Sequence, residues 1–180
     1  MPNNDSGRDA ISALFKEYED NYQFLMDKQQ ISIATDYKSQ YSKVMLLSAA
    51  SYFESKVLQI MYEMLNPQRC SINKGFMEKK ALKRQYHTLF NWDQTHANQF
   101  FSLFGTEFQT FMSKKVSEDE ELNNSIGDFM ALGSLRNQLV HRNYATFQLP
   151  LTAEDIFSKF ENALKFVDSL IPLSQEFRAN

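Results

Sequence analysis

The 180-residue chain has one cysteine, Cys70, which excludes an internal disulfide and any cysteine-cluster zinc site. That scarcity fits a reducing compartment, and a cytoplasmic location is the expectation. Only five Gly and four Pro occur, mostly between apolar periodic segments, so a strand-and-turn architecture finds little support. Long hydrophobic runs are absent as well. Val44–Leu47 is among the longest, whereas a membrane span needs about 20 apolar residues. Nor is there a basic excess: 19 Lys+Arg against 22 Asp+Glu give a net charge of −3. Bulk charge therefore offers no support for a general nucleic-acid or membrane binder. The polar N-terminus, Met1–Ala10, carries both signs of charge and does not read as a secretory signal.

Apolar and aromatic residues are plentiful. They make up 43% and 14% of the chain, with 16 Phe and 8 Tyr, which argues against disorder. A chain of this length can bury a core without metal or disulfide staples. The expectation is a soluble, intracellular globular protein.

The spacing of the apolar residues predicts helices. From Ile11 they fall at Leu14, Phe15, Tyr18, Tyr22, Leu25 and Met26, a stripe with helical period. The cleanest stripe follows, from Tyr41 through Val44, Met45, Ala49, Phe53, Val57 and Ile60 to Met64. Thr35 or Asp36 is expected to cap its start, and Asn66-Pro67 to end it. Gln68–Asp93 is locally basic, with Arg69, Lys74, Lys79, Lys80, Lys83 and Arg84 against Glu78 and the terminal Asp93. It reads either as a solvated face or as a contact for an acidic polymer. A short aromatic helix is expected at Thr95–Phe104, stopped by Gly105, with a further turn or two at Phe108–Lys114.

Ser117-Glu-Asp-Glu120 reads as a capping box opening a long helix through Leu122, Ile126, Phe129, Met130, Leu132, Leu135, Leu139 and Val140. Gly127 and Gly133 lie inside that helix. A helical Gly costs about 1 kcal/mol relative to Ala, so the close approach of another helix, a second subunit or RNA is one explanation. Thr152-Ala-Glu-Asp155 opens a last helix, which Pro172 is expected to end. No repeat or low-complexity linker is present. The expectation is one all-α domain over 1–180, an antiparallel up-and-down bundle with extra short helices. Residues 1–35 would form an N-terminal helical extension, and 36–172 the core bundle, with a basic and aromatic segment inserted at about 68–114.

One motif carries chemistry: Arg136-Asn137-Gln138-Leu139-Val140-His141, near the end of the fourth long helix. With 6 Arg, 13 Asn and 3 His in the chain, R-N-x-x-x-H arises by chance only about 0.007 times. Asn137 and His141 are four residues apart and share a helix face. Arg136 stands about 140° away from His141 at 100° per residue. Its long side chain, a loosened helix end or a facing second copy would be needed to bring the two together. A cation or His near a helix C-terminus can also serve only to complement the macrodipole.

In this motif the chain resembles the HEPN superfamily of all-α domains, whose ribonuclease members carry R-x-x-x-x-H, often with a polar residue after the Arg. The motif is matched in full, Asn137 included. Ser-Tyr-Phe-Glu54 resembles the family helix that bears an inward polar residue, and Thr152–Ile171 its last helix. Lys83-Arg-Gln-Tyr-His-Thr-Leu-Phe-Asn-Trp92 and Asn98-Gln-Phe-Phe-Ser-Leu-Phe-Gly105 look like the insert of a prokaryotic nuclease subgroup. The resemblance implies a homodimeric, metal-independent endoribonuclease that leaves a 2′,3′-cyclic phosphate and a 5′-hydroxyl. It also implies a toxin or antiphage-defence role, held in check by an antitoxin or an associated defence protein.

The residue types suit that chemistry. Histidine titrates near neutral pH and can take a proton from a ribose 2′-OH. The rigid guanidinium fork of Arg136 matches phosphate oxygens. Asn137 can donate to phosphate or orient a ring nitrogen of His141. Arg142 and Tyr144 are candidate neighbours for phosphate contact and base stacking, or else a surface charge and a core aromatic. Glu54 is a supporting candidate bonded to Arg136 or His141, or simply a boundary residue. Lys79, Lys80, Lys83 and Arg84 are the candidate RNA-backbone contacts. No cofactor and no metal is expected. His87 and His96 lack a carboxylate at ligand spacing, and no Gly-rich phosphate loop occurs. Cys70 has no neighbouring His and reads as structural. The rival class is a non-catalytic HEPN module for dimerisation, nucleotide binding or partner-protein binding.

Overall fold

The computed structural model describes residues 6–65, 68, 70–82 and 84–179. Among these, every regular element is helical and no strand is present, so the all-α expectation holds. The order is α1 (Ser6–Asp27), α2 (Ile31–Leu65), α3 (Ser71–Phe76), a π-helical turn (Met77–Ala81), α4 (Tyr86–Leu89), α5 (Asn98–Ser102), α6 (Thr106–Glu118), α7 (Glu120–His141) and α8 (Ala153–Ala179). The chain forms two compact units. The first comprises Met1–Tyr52 and Leu132–Glu161, and the second Phe53–Ala131 and Asn162–Asn180.

Several helix ends differ from the expectation, each for a local reason. Helix α2 begins at Ile31 rather than at Thr35 or Asp36: the Ala34 N–H already donates to the Gln30 carbonyl at 2.9 Å, and the Thr35 hydroxyl bonds back to the Ile31 carbonyl inside the helix. Asn66-Pro67, the expected stop, lies outside the described residues. The N-cap of α7 is Asp119, whose Oδ1 accepts the Leu122 N–H at 2.9 Å. Ser117 is instead spent in the last turn of α6, donating to the Lys114 carbonyl at 2.7 Å. Helix α6 is therefore a full element, whereas the short helix before Gly105 is confined to Asn98–Ser102. Gly105 does make the break, at φ +100.

Thr152 and Asp155 cap α8 reciprocally. The Asp155 N–H donates to Thr152 Oγ1 at 3.2 Å, and Asp155 Oδ2 accepts from the Thr152 N–H at 3.0 Å. Pro172 does not end the helix. An internal proline forfeits a hydrogen bond and crowds the preceding turn. Burial beyond it offsets that cost: Ser174 is buried, and the Phe177 ring lies 5.2 Å from Phe108 and 5.5 Å from Phe111.

In the first unit, α1 meets the start of α8 through stacked Phe15 and Phe157, with centroids 4.1 Å apart. Tyr18 is buried beside Tyr22, Tyr37 and Tyr41, with centroids 5.2–5.9 Å from it. Its hydroxyl donates to Glu154 Oε1 at 3.0 Å, which also pairs with Lys38 at 3.1 Å. Tyrosines at i and i+4 on both helices of this hairpin place four rings together.

The second unit is built on Phe129. Phe53, Phe90, Trp92 and Phe166 surround it at 5.0–5.8 Å. The aromatic part of the expected insert is thus buried core. Trp92 can be buried there because its indole N–H donates to the His87 carbonyl at 3.1 Å. A close crossing at Gly127 is not found: a Cβ there would meet nothing within 4 Å.

Candidate active site

The R-N-x-x-x-H motif occupies the last turns of α7, in the first unit. Leu139 is fully buried and fixes the inner face of this stretch, so its neighbours Arg136, Asn137 and Gln138 are left half-buried at the surface. His141, the last residue of α7, is exposed. Arg136 Nη1 donates to Asn137 Oδ1 at 3.2 Å. That bond turns the guanidinium toward Asn137, and hence toward the face that Asn137 shares with His141. Arg136 and Asn137 are in contact, and His141 stands one turn further along the same helix.

Beyond His141 the chain makes one more helical bond, from the Arg142 N–H to the Gln138 carbonyl at 3.1 Å, and then turns. Arg142 lies with its guanidinium carbon 5.4 Å from the Phe147 ring centroid. Tyr144 is 42% exposed, which leaves its ring accessible, yet its carbonyl is engaged. Lys43 on α2 donates to that carbonyl at 2.8 Å, and its ammonium lies 4.8 Å from the Tyr144 ring centroid.

Lys43 is the residue that sequence reasoning missed. At 2% exposure it is a buried cation, a placement lysines almost never take unless paired. Its signal was present: Lys43, Leu46 and Ala50 follow i, i+3, i+7 spacing, and both apolar partners are buried. The stripe reading of α2 passed over it because Met45, Ala49 and Phe53 mark a different face.

Glu54 is half-buried and belongs to the second unit. Lys79 and Lys80 are exposed on the π-helical turn, and Arg84 is exposed in a turn at φ 61. Lys83 and Arg69 lie outside the described residues. Lys74 is exposed with its ammonium 5.8 Å from the Tyr62 ring centroid. Cys70 is half-buried, and the N–H groups of Asn73 and Ile72 hold its thiol below the ordinary value.

Glu154 and Tyr41 are among the shifted groups of the first unit. Burial alone would raise the Glu154 carboxyl, but its own N–H, Thr152, Lys38 and Tyr18 outweigh that and hold it below the ordinary value. Burial, reinforced by Tyr37 and Glu17, pushes Tyr41 up to about 12. Among the described residues no group of three or more His, Cys, Asp or Glu could hold a metal ion. No helix of the described residues is long and apolar enough to cross a membrane.

The sequence matches the family described as RiboL-PSP-HEPN over residues 9–172. No curated protein and no solved structure matches it. The family match supports a HEPN-type helical fold and an RNA-related, nuclease-like module.

Proposed function

Since the chain belongs to the RiboL-PSP-HEPN family, we propose that it is a metal-independent endoribonuclease with Arg136, Asn137 and His141 as its catalytic residues. The observation that supports this reading is the 3.2 Å bond from Arg136 to Asn137, one turn before an exposed His141. His141 takes the proton from a ribose 2′-OH, and the 2′-oxygen attacks phosphorus. The bond to the 5′-oxygen breaks, and that oxygen leaves with a proton as a 5′-hydroxyl. The other product is a 2′,3′-cyclic phosphate. Arg136 stabilises the charge that develops on the phosphate oxygens, and Asn137 holds the guanidinium in place. DNA lacks the nucleophile and is not cut.

The working form is a homodimer in which two motif helices share a cleft. Support comes from Val140, an apolar residue 46% exposed between the buried Leu139 and His141. Lys79, Lys80 and Arg84 contact the RNA backbone. The biological setting we infer from the family is a prokaryotic toxin or antiphage-defence effector restrained by a partner protein.

The test is cleavage of a structured RNA in EDTA by wild type, Arg136→Ala and His141→Ala. The expectation is cleavage by wild type and losses of about 10²-fold or more in each variant. Activity that survives both substitutions, or that needs added metal, overturns the mechanism. Equilibrium sedimentation of active protein tests the shared cleft, and a strict monomer that cleaves RNA refutes it.

A further inference from the structure

The turn that follows the motif borders a shallow, open groove. Arg142, Asn143, Thr146, Phe147 and Gln148 line this groove of about 390 Å³, which starts one residue beyond His141. Ligand pockets run from about 300 to 1,000 Å³, so this one suits a small planar group. Three features define its chemistry. Arg142 already forms a layer on Phe147, at 5.4 Å. Asn143 is committed to shaping the turn: its Oδ1 accepts the Ala145 N–H at 3.1 Å, and its carbonyl accepts those of Thr146 and Phe147 at 3.1 and 2.9 Å. Gln148 is exposed, and its amide makes no hydrogen bond with another described residue.

A guanidinium plane and an aromatic ring offer a stacking surface to any flat ligand. A side-chain amide with two donors and one acceptor reads a hydrogen-bonding edge. An unpaired nucleobase has both a face and an edge. Resting on the RNA-cleavage reading above, we propose that this groove is a nucleobase subsite for the base flanking the scissile phosphate, with Arg142 and Phe147 stacking it and Gln148 setting base preference. Lys43 supports the subsite from inside, because its bond to the Tyr144 carbonyl fixes the middle of the turn before RNA arrives.

The experiment uses labelled single-stranded RNA oligonucleotides that differ only in the bases flanking one cleavable linkage, plus one with an abasic flanking position. Binding is measured with His141→Ala protein, alone and combined with Phe147→Leu or Gln148→Glu. Cleavage is measured with the same two substitutions in the wild-type background. Phe147→Leu keeps an apolar side chain in a half-buried place and should weaken binding about 5- to 100-fold. The abasic oligonucleotide should bind equally with and without that substitution. Gln148→Glu alters an exposed side chain and should reorder base preference through KM, with kcat little changed. If wild type cleaves RNA while both variants keep its base preference and KM, the subsite is overturned and the ribonuclease reading stands. If wild type neither binds nor cleaves any of these oligonucleotides in EDTA, both fall together.

Discussion

Tyr18→Phe removes one oxygen from the first unit and leaves its ring packing intact. The lost bond runs from a buried hydroxyl to Glu154 Oε1 at 3.0 Å. A hydrogen bond to a charged group contributes about 1.5–3 kcal/mol. Glu154 keeps Lys38 at 3.1 Å, and its side chain is 42% exposed, so water replaces part of what is lost. The expected cost is about 1–2 kcal/mol at neutral pH, or roughly 2–8 °C in Tm for a chain of this length. The sign with pH follows from Glu154, whose folded value lies below its ordinary 4.5. A depressed carboxyl contributes stability that is fully present above the ordinary value and is lost as pH falls through the folded one. The Tyr18 bond is one cause of that depression, so the deficit of Tyr18→Phe should be full at neutral pH and shrink as pH falls below the ordinary 4.5. Urea denaturation of both proteins at neutral and at acidic pH measures it. A deficit under about 0.5 kcal/mol at neutral pH, or one that does not change with pH, refutes the reasoning.

Three further outcomes follow from the same contacts. Phe129→Ala opens the cage of Phe53, Phe90, Trp92 and Phe166 and should cost about 3–5 kcal/mol in urea denaturation; a cost below 1 kcal/mol would mean that the cage is not packed as described. Lys43→Met removes a buried charge together with its bond, so stability should change by only about 1 kcal/mol, while amide exchange at Ala145–Phe147 accelerates; unchanged exchange argues against a bond that holds the turn. In an alkaline absorbance titration, Tyr41 should ionise at about 12, and Tyr18, raised by burial and the Glu154 carboxylate, should ionise late as well. Because these folded values are raised, the stability that the two tyrosines contribute is intact below the ordinary 10 and is lost as pH climbs through the folded values. Ionisation of all eight tyrosines in one step near 10 contradicts their burial.

Local chemistry was legible where one segment contains both partners of an interaction. The Thr152 and Asp155 cap is such a case, since the two residues are three apart and satisfy each other without help. Gly105 is another. At the start of α7 two local solutions competed, and the choice fell to Asp119 because α6 continues far enough to engage the Ser117 hydroxyl. Pro172 misled for a different reason: its penalty is local, while the burial of Ser174 and the ring contacts of Phe177 that offset it come from distant parts of the chain. The shared face of Asn137 and His141 could be read directly, because residues four apart lie together on any helix.

What the sequence determined alone is the scarcity of cysteine, glycine and proline, the helical period of its apolar residues and the motif at a helix end. Each depends on neighbours within a few turns, where backbone geometry is fixed. Tertiary structure decided the burial of Lys43 beneath Tyr144 and the anchoring of the turn that presents Arg142, Phe147 and Gln148. Composition and period do not encode those outcomes. The Lys43 bond joins positions 101 residues apart, and the groove depends on a turn that such a bond holds in place.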